Sequence, residues 1–516
     1  MVYALTLSLT ALLVDYTAQE YFEKNGSTLF PNAVGSITQT CLTYLSFDTL
    51  KRGCDAGPWP LSDDYPFVLY AAVHWGHHAR RNEETALDMV QEFLSRKPNV
   101  AYATTILLAD RQHGLGNYGS NRTDFGEIHL LSFFGLGRTM SQLLQINYSA
   151  DSMDSRGQTP LSHAATRGHS EVVQLLLTRD DVDVNSKDKG GDSPLLHAAR
   201  NGHLQVTKLL LARDDIKVNS KDRLSRSPLS YAAQYGHSEM TKLLLAQDNI
   251  EVNLKNKNGN SPLSYAVKNG HLEVTKLLLA RDDIDVNSKD LYGCSLLSYA
   301  TQNGHSEVTK LLLAQDNIEV NSKDQGSDSP LSYAVKNGHL EVTKLLLARD
   351  DIEVNSPSRS LLSYAAQNGD LKVMKLLLAR DDIEVNSPSR SPLSYAAKNG
   401  HLEVAKLLLA RDDIEVNLKD PPLSRSPLLY AAQYGHLEVT KLLLAQDNIQ
   451  VNSKDRLSRS PLSYAAQNGH LEVTKLLLAR DDIDVNSKDN TGQSPLTYAG
   501  RHSEIVQLFM ARTTVG

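Results

Sequence analysis

The chain has 516 residues, 41 % hydrophobic and 22 % charged, a balance with ample material for a folded core. Its 53 basic and 60 acidic residues leave a net charge of −7, so no basic excess marks a nucleic-acid binder. Three scattered cysteines (Cys41, Cys54, Cys294) make neither a disulfide framework nor a zinc ligand set, and no apolar run approaches the roughly 18 residues of a membrane span. The expectation is a soluble protein of a reducing compartment, the cytoplasm or the nucleus, with neither a nucleic-acid nor a membrane partner.

From the amino terminus, Ala4 to Val14 (ALTLSLTALLV) is the first apolar stretch, of the length of a signal-peptide core. No positive n-region precedes it and no clean small-x-small site follows before Tyr16, so it reads as a buried strand or helix. Residues 1–120 have their own composition and no internal repeat, and read as a small helical module. Within it His74, His77 and His78 would share one helix face, as in a metal site. No Cys or carboxylate completes that set nearby, so packing is the preferred reading. Cys41 and Cys54 show no local sign of thiolate activation, and no serine sits in a Gly-x-Ser-x-Gly elbow. No catalytic residue, metal or cofactor is assigned, and the chain reads as a non-enzyme.

From residue 122 to 516 self-similarity dominates: SPLSYAAQNGHLEVTKLLLARDDIEVN recurs with small variations. The Pro of Ser/Thr-Pro-Leu falls at Pro160, Pro194, Pro228, Pro262, Pro330, Pro392, Pro427, Pro461 and Pro495, with Leu296 and Leu361 in the same slot. The spacing is 34 residues except for two of 31 and one of 35, and a weaker copy places Glu127 in the slot, making about twelve units. Thr159, Ser193 and Ser227 read as N-caps, each followed by Pro at the first helical position. Gly202, Gly236 and Gly270 supply the left-handed residue that closes the first helix. A second helix, such as 272–281, carries Val274, Leu277 and Leu278 as an apolar stripe, and DDIxVNSKD reads as an extended finger and turn. Pairs this short cannot bury their apolar faces alone and must stack.

The pattern D-x-x-G-x-S/T-P-L-x-x-A-A-x-x-G-H-x-E-V-x-x-L-L-L is similar to the ankyrin repeat. The resemblance implies an all-α ankyrin-repeat solenoid of helix-turn-helix and finger units behind the small helical module. The family's His after Gly stands at His169, His203, His237, His271, His305, His339, His401, His436 and His470, with Asp370 replacing it once. Each such ring reads as hydrogen-bonding neighbouring backbone. Three phrases of the first module, VDYTAQEYFEK, CLTYLSFD and PFVLYAAVHWGHHAR, resemble the winged-helix end and linker of fungal NACHT-ankyrin proteins. Asp15 departs from that pattern, and no GxxxxGK[ST] loop occurs in the chain, so nucleotide hydrolysis is not expected of it. The resemblance leaves a second reading beside a stand-alone scaffold: the sensor arm of a truncated NACHT-type signalling NTPase.

Positions three, six and seven residues after the Pro slot share one face of the first helix. The first of them is Tyr in nine consecutive copies, Tyr231 to Tyr498, and reads as packing between stacked helices with the hydroxyl reaching a neighbour. The resemblance places the other two along a concave partner-binding groove: Arg200-Asn201, Gln234-Tyr235, Lys268-Asn269, Gln302-Asn303, Lys336-Asn337, Gln367, Lys398, Gln433-Tyr434 and Gln467. None is acidic, so the groove should be neutral to basic and suit a protein partner with an acidic or amide-rich surface, bound by a monomer. Fingertips vary most between copies, which adds Arg223, Lys257, Tyr292 and Arg456 as contact candidates. VNSPSRS twice replaces a longer finger near Pro357 and Pro388, which should notch the row. The last Ser of RLSRSP, at Ser227 and Ser460, reads as a helix N-cap rather than a phosphorylation site.

Overall fold

The computed structural model describes residues 33–50, 67–110, 125–146, 148–355, 360–387 and 391–515. The apolar stretch Ala4–Val14, Cys54 and the shortened fingers at Pro357 and Pro388 lie outside them. Among the described residues the architecture is all-α, and the only β pairing is two isolated bridges, Lys289 with Ser295 and Asp420 with Arg425. The chain divides into two compact units, residues 1–257 and 258–516.

One repeat shows why the sequence folds as it does. Ser193 sits in extended backbone and its hydroxyl accepts from the Leu196 amide at 3.3 Å, while Pro194 opens the helix Pro194–Asn201 where no amide is needed. Gly202 follows at φ 76°, and its N–H returns to the Ala198 carbonyl, ending the helix. A Cβ there would also lie 2.8 Å from Cε1 of His237 in the next repeat, so close approach requires glycine as well. The second helix, Leu204–Leu211, then buries Val206, Thr207 and Leu210. The capping hydroxyl recurs at Thr159, Ser227, Ser261, Ser295, Ser329, Ser391, Ser426, Ser460 and Ser494. Both RLSRSP serines are therefore N-caps. Glu127 opens a true first helix, Glu127–Phe134, closed by Gly135 at φ 77°.

In the first unit, helices Ala33–Leu45, Val68–Arg81, Glu83–Ser95 and Lys97–Asp110 precede the repeats. Their apolar side chains join one core that runs from Cys41 through Leu210. Trp75 is fully buried between Phe93 and Phe134, with ring centroids 5.4 and 4.9 Å away. Gly76 lets this happen, since a Cβ there would fall 2.1 Å from Phe134 Cγ. Glu83 accepts from the Thr139 amide at 2.7 Å and its hydroxyl at 3.0 Å, capping the helix Gly137–Leu144. The pair Val68–Arg81 and Glu83–Ser95 thus stacks on the first repeat and covers its open face.

In the second unit, near-identical helix pairs run from Pro262–Lys268 to Leu471–Leu478. The final copy has only one turn, Pro495–Tyr498, followed by a 3-10 turn and the helix Ser503–Val515. Neighbouring pairs are stitched by three recurring bonds. The junction histidine donates to a carbonyl of the preceding pair, as in His305 to Lys268 (3.1 Å) and His470 to Gln433 (3.0 Å). Each finger asparagine bonds the next finger twice: Asn321 donates to Asp351 O at 2.7 Å and accepts from the Glu353 amide at 2.8 Å. Fingertips are joined through backbone, as in Leu291 N to Asn258 O (3.0 Å) and Gln325 N to Tyr292 O (2.9 Å).

Candidate functional site

The face made by first helices and fingers is organised by an aspartate six residues before the Pro slot. Asp455 Oδ1 accepts from the amides of Leu457 and Arg459 at 2.9 and 3.0 Å, while Oδ2 accepts from Tyr464 Oη at 2.7 Å. Asp222 with Tyr231 (2.9 Å), Asp290 with Tyr299 (2.5 Å) and Asp324 with Tyr333 (2.5 Å) repeat the clamp. In the earlier copies a histidine takes the tyrosine's place, His163 on Asp154 at 3.0 Å and His197 on Asp188 at 3.1 Å. Burial alone would raise the Asp188 carboxyl, yet His197 and the Asp192 and Gly190 amides hold it below the ordinary value. Burial pushes Tyr231 up to about 12. The tyrosines are thus largely buried, Tyr231 at 1 % and Tyr464 at 3 % exposure, and they fix the finger to the helix.

The paired positions divide by type. Arg200 is bound, with Nη2 2.8 Å from Asp192 and its guanidinium 4.4 Å above the Tyr231 ring. Lys268 lies over Tyr299 at 4.9 Å and Lys336 over Tyr364 at 5.8 Å, both cations remaining exposed. The asparagines use their amides within the array: Asn201, Asn269 and Asn303 donate to their own helix at 2.9 Å. Asn337 instead donates to the Gln302 carbonyl of the preceding pair at 3.0 Å. Gln433 accepts from Arg425 at 2.9 Å and Gln467 from Arg459 at 3.3 Å. Gln302, Gln367 and Lys398 are exposed, and their backbone carbonyls receive the next junction histidine. Gln234 is half-buried, whereas Tyr235 and Tyr434 are 48 % and 45 % exposed beside His237 and His436.

At the fingertips Arg223, Lys257 and Arg456 are exposed, with their backbone amides tied to the preceding tip. Beside them stand apolar side chains left in water: Leu224, Leu291, Tyr292, Leu423 and Leu457. Their neighbours in sequence look like ordinary turn residues, which is why the row of apolar tips escapes a reading of one finger at a time. Also missed is the residue two before the Pro slot. Arg425 there reaches forward to donate to Tyr464 Oη at 2.7 Å, a contact spanning 39 residues.

Across three successive fingers of the second unit lies an open cavity of about 480 Å³. Asn260, Lys268, Asp290, Tyr292, Cys294, Tyr299, Asp324 and Tyr333 line it, which brings together two of the sequence-assigned residues, Lys268 and Tyr292. The candidate metal ligands Asp188, Asp192 and His197 approach within 4.8 Å of one another. His197 bonds Asp188 and Arg200 neutralises Asp192, so a cation of this chain already fills that place. Of the early histidines, His78 bonds Tyr70 at 2.9 Å and His77 packs edge-on to Phe134, in line with packing. Burial pushes the Cys41 thiol up to about 12, away from reactivity.

A family model described as ankyrin repeats (3 copies) matches residues 128–222, 215–290, 283–358, 362–455 and 428–515. Among curated proteins the chain is similar to Rabankyrin-5 of Mus musculus, 26 % identical over 141 residues, covering 26 % of this chain and 11 % of that protein. Rabankyrin-5 of Homo sapiens is 26 % identical over 138 residues, covering 26 % of this chain and 10 % of that protein. The match thus spans about a tenth of the length of these relatives.

Proposed function

The chain belongs to the ankyrin-repeat family, and we propose that its first-helix and finger face binds a protein partner without catalysing a reaction. Ankyrin repeats generally mediate protein–protein interaction. The observation that carries this reading is the division of labour between buried and exposed groups. The clamp aspartates and their tyrosines, most junction histidines and many asparagines are engaged in internal bonds, whereas tip side chains such as Leu291, Tyr292, Leu457 and Arg456 stand in water on a stitched frame. Exposed apolar and aromatic groups with a polar rim are what protein interfaces use. Within the second unit Lys268, Lys336, Lys398 and Arg456, with the amides of Gln302 and Gln367, suit a partner presenting acidic or amide-rich side chains to a monomer.

The test is comparative capture by the immobilised full chain. Leu291→Ser with Tyr292→Ser should lose the partner, while Glu341→Ala with Lys344→Ala, an exposed pair on a second helix, should keep it. A partner kept by the tip variant and lost by the second-helix variant would move binding to the opposite face.

A further inference from the structure

The array contains its own template for a ligand that one position lacks. Tyr231, Tyr299, Tyr364, Tyr464 and Tyr498 each lie under a cation from the preceding repeat, at 4.4 to 5.8 Å. Tyr333 is different: among the described residues no cation lies over its ring or pairs with Asp324. The best template is Arg425, whose side chain is 13 % exposed. Its guanidinium donates to Tyr464 Oη at 2.7 Å and Gln433 Oε1 at 2.9 Å, with Nε 3.6 Å from Asp455. Four copies earlier in the second unit, Gln302, Asp324 and Tyr333 occupy the places of Gln433, Asp455 and Tyr464. Only the arginine is replaced, by Cys294, whose sulfur stops 3.9 Å from Asp324 and 4.0 Å from Tyr333 Oη. The cavity of about 480 Å³ opens at this point.

We propose that this cavity receives the side chain of an arginine carried by the protein partner, its guanidinium lying on Tyr333 and bonding Asp324. A planar fork of donors matches a carboxylate beside an aromatic face better than an ammonium does. Lys268 lines the cavity and Lys336 follows Tyr333 by one turn of the same helix, so acidic residues on either side of that arginine would be favoured. The inference rests on the reading of this face as the partner surface and names the side chain it selects.

The probe is a fluorescein-labelled peptide, Glu-Glu-Gly-Arg-Gly-Glu-Glu, and its citrulline twin, which keeps the shape and loses the charge. Titrated with the full chain, the arginine peptide should bind about tenfold more tightly than the twin. Cys294→Arg, which restores the internal guanidinium, should weaken it about tenfold, and Cys294→Ser should leave it unchanged. Asp324→Asn provides a second variant should Cys294→Arg misfold, and it too should weaken the arginine peptide alone. Equal affinity for the two peptides, no binding of either at millimolar concentration, or full binding to Cys294→Arg would overturn the proposal. Two peptides bound equally and lost together on Lys268→Glu would remove the arginine site while leaving the partner face standing.

Discussion

The first and last parts of the described chain solve the same stacking problem with different materials. Residues 33–145 fill their core with unlike, bulky side chains: Trp75, Phe93, Tyr102, Phe134 and Met140 are all buried. The repeats of the second unit use one small set over and over, with Leu278, Leu312, Leu346, Leu377 and Leu408 fully buried at equivalent positions. A repeat in the row is covered on both sides by copies of itself, so small residues and recurring bonds suffice. An end has one neighbour and must cover its exposed side with material that the repeat does not contain. The repetitive frame leaves its fingertips free to vary, while the amino-terminal cap is committed to packing.

Breaking this contrast should produce its largest effect at Trp75. Trp75→Ala removes the ring wedged between Phe93 and Phe134 and should cost about 3–5 kcal/mol of the first unit's stability. Denaturant unfolding followed by circular dichroism should then show the transition separate into two.

Acid should also single out the first unit. Burial, and secondarily His163, pushes His129 down to about 4. Burial, and secondarily Arg80, does the same to His169, also to about 4. An unfolded histidine titrates near 6.5, so between about 6.5 and 4 the unfolded chain takes up protons that the folded one refuses. Stability is therefore lost as pH falls through that window, by at most about 1.4 kcal/mol per pH unit for each histidine. The denaturation midpoint reported by Trp75 fluorescence, in a Trp59→Phe background, should be lower at pH 5 than at pH 7.

Within the repetitive unit, Gly435→Ala should cost about 1–3 kcal/mol. Gly435 has φ 75°, and the new Cβ would lie 2.5 Å from Nδ1 of His470. The smallest effect sharpens the comparison among fingertips themselves. Ser327 and Ser458 adopt φ 63° and 58° where other tips have glycines such as Gly259 and Gly293. Ser327→Gly should raise stability by about 0.5–1 kcal/mol, measured by chemical denaturation.

Much of the frame was legible because each of its signals is local. A hydroxyl before Pro, a glycine nine residues after that hydroxyl and an apolar stripe are determined within one copy, and the structure places them as N-cap, left-handed residue and buried face. The hydroxyl of the tyrosine ladder likewise has its aspartate only nine residues away, as in Tyr464 and Asp455. The hidden parts are relations between copies. Nothing near Arg425 in the sequence points to Tyr464, and the significance of Cys294 emerges only when the two registers are laid over each other. The asparagines at the paired positions carry a relation of the same kind: Asn337 and Asn468 donate to carbonyls of the preceding copy. The joining of the first helices to the repeat core through Trp75 and Phe134 was equally invisible, since no shared periodicity links them.

On the proposed reading the partner lies against first helices and fingertips. A photo-crosslinking amino acid placed at Tyr292 or Leu457, compared with one at Glu273 or Glu472 on second helices, tests it in the full chain. A discrete protein adduct is expected from Tyr292 and Leu457 and none from Glu273 or Glu472. The same adduct formed from Glu273 or Glu472, with Tyr292 and Leu457 silent, would contradict it.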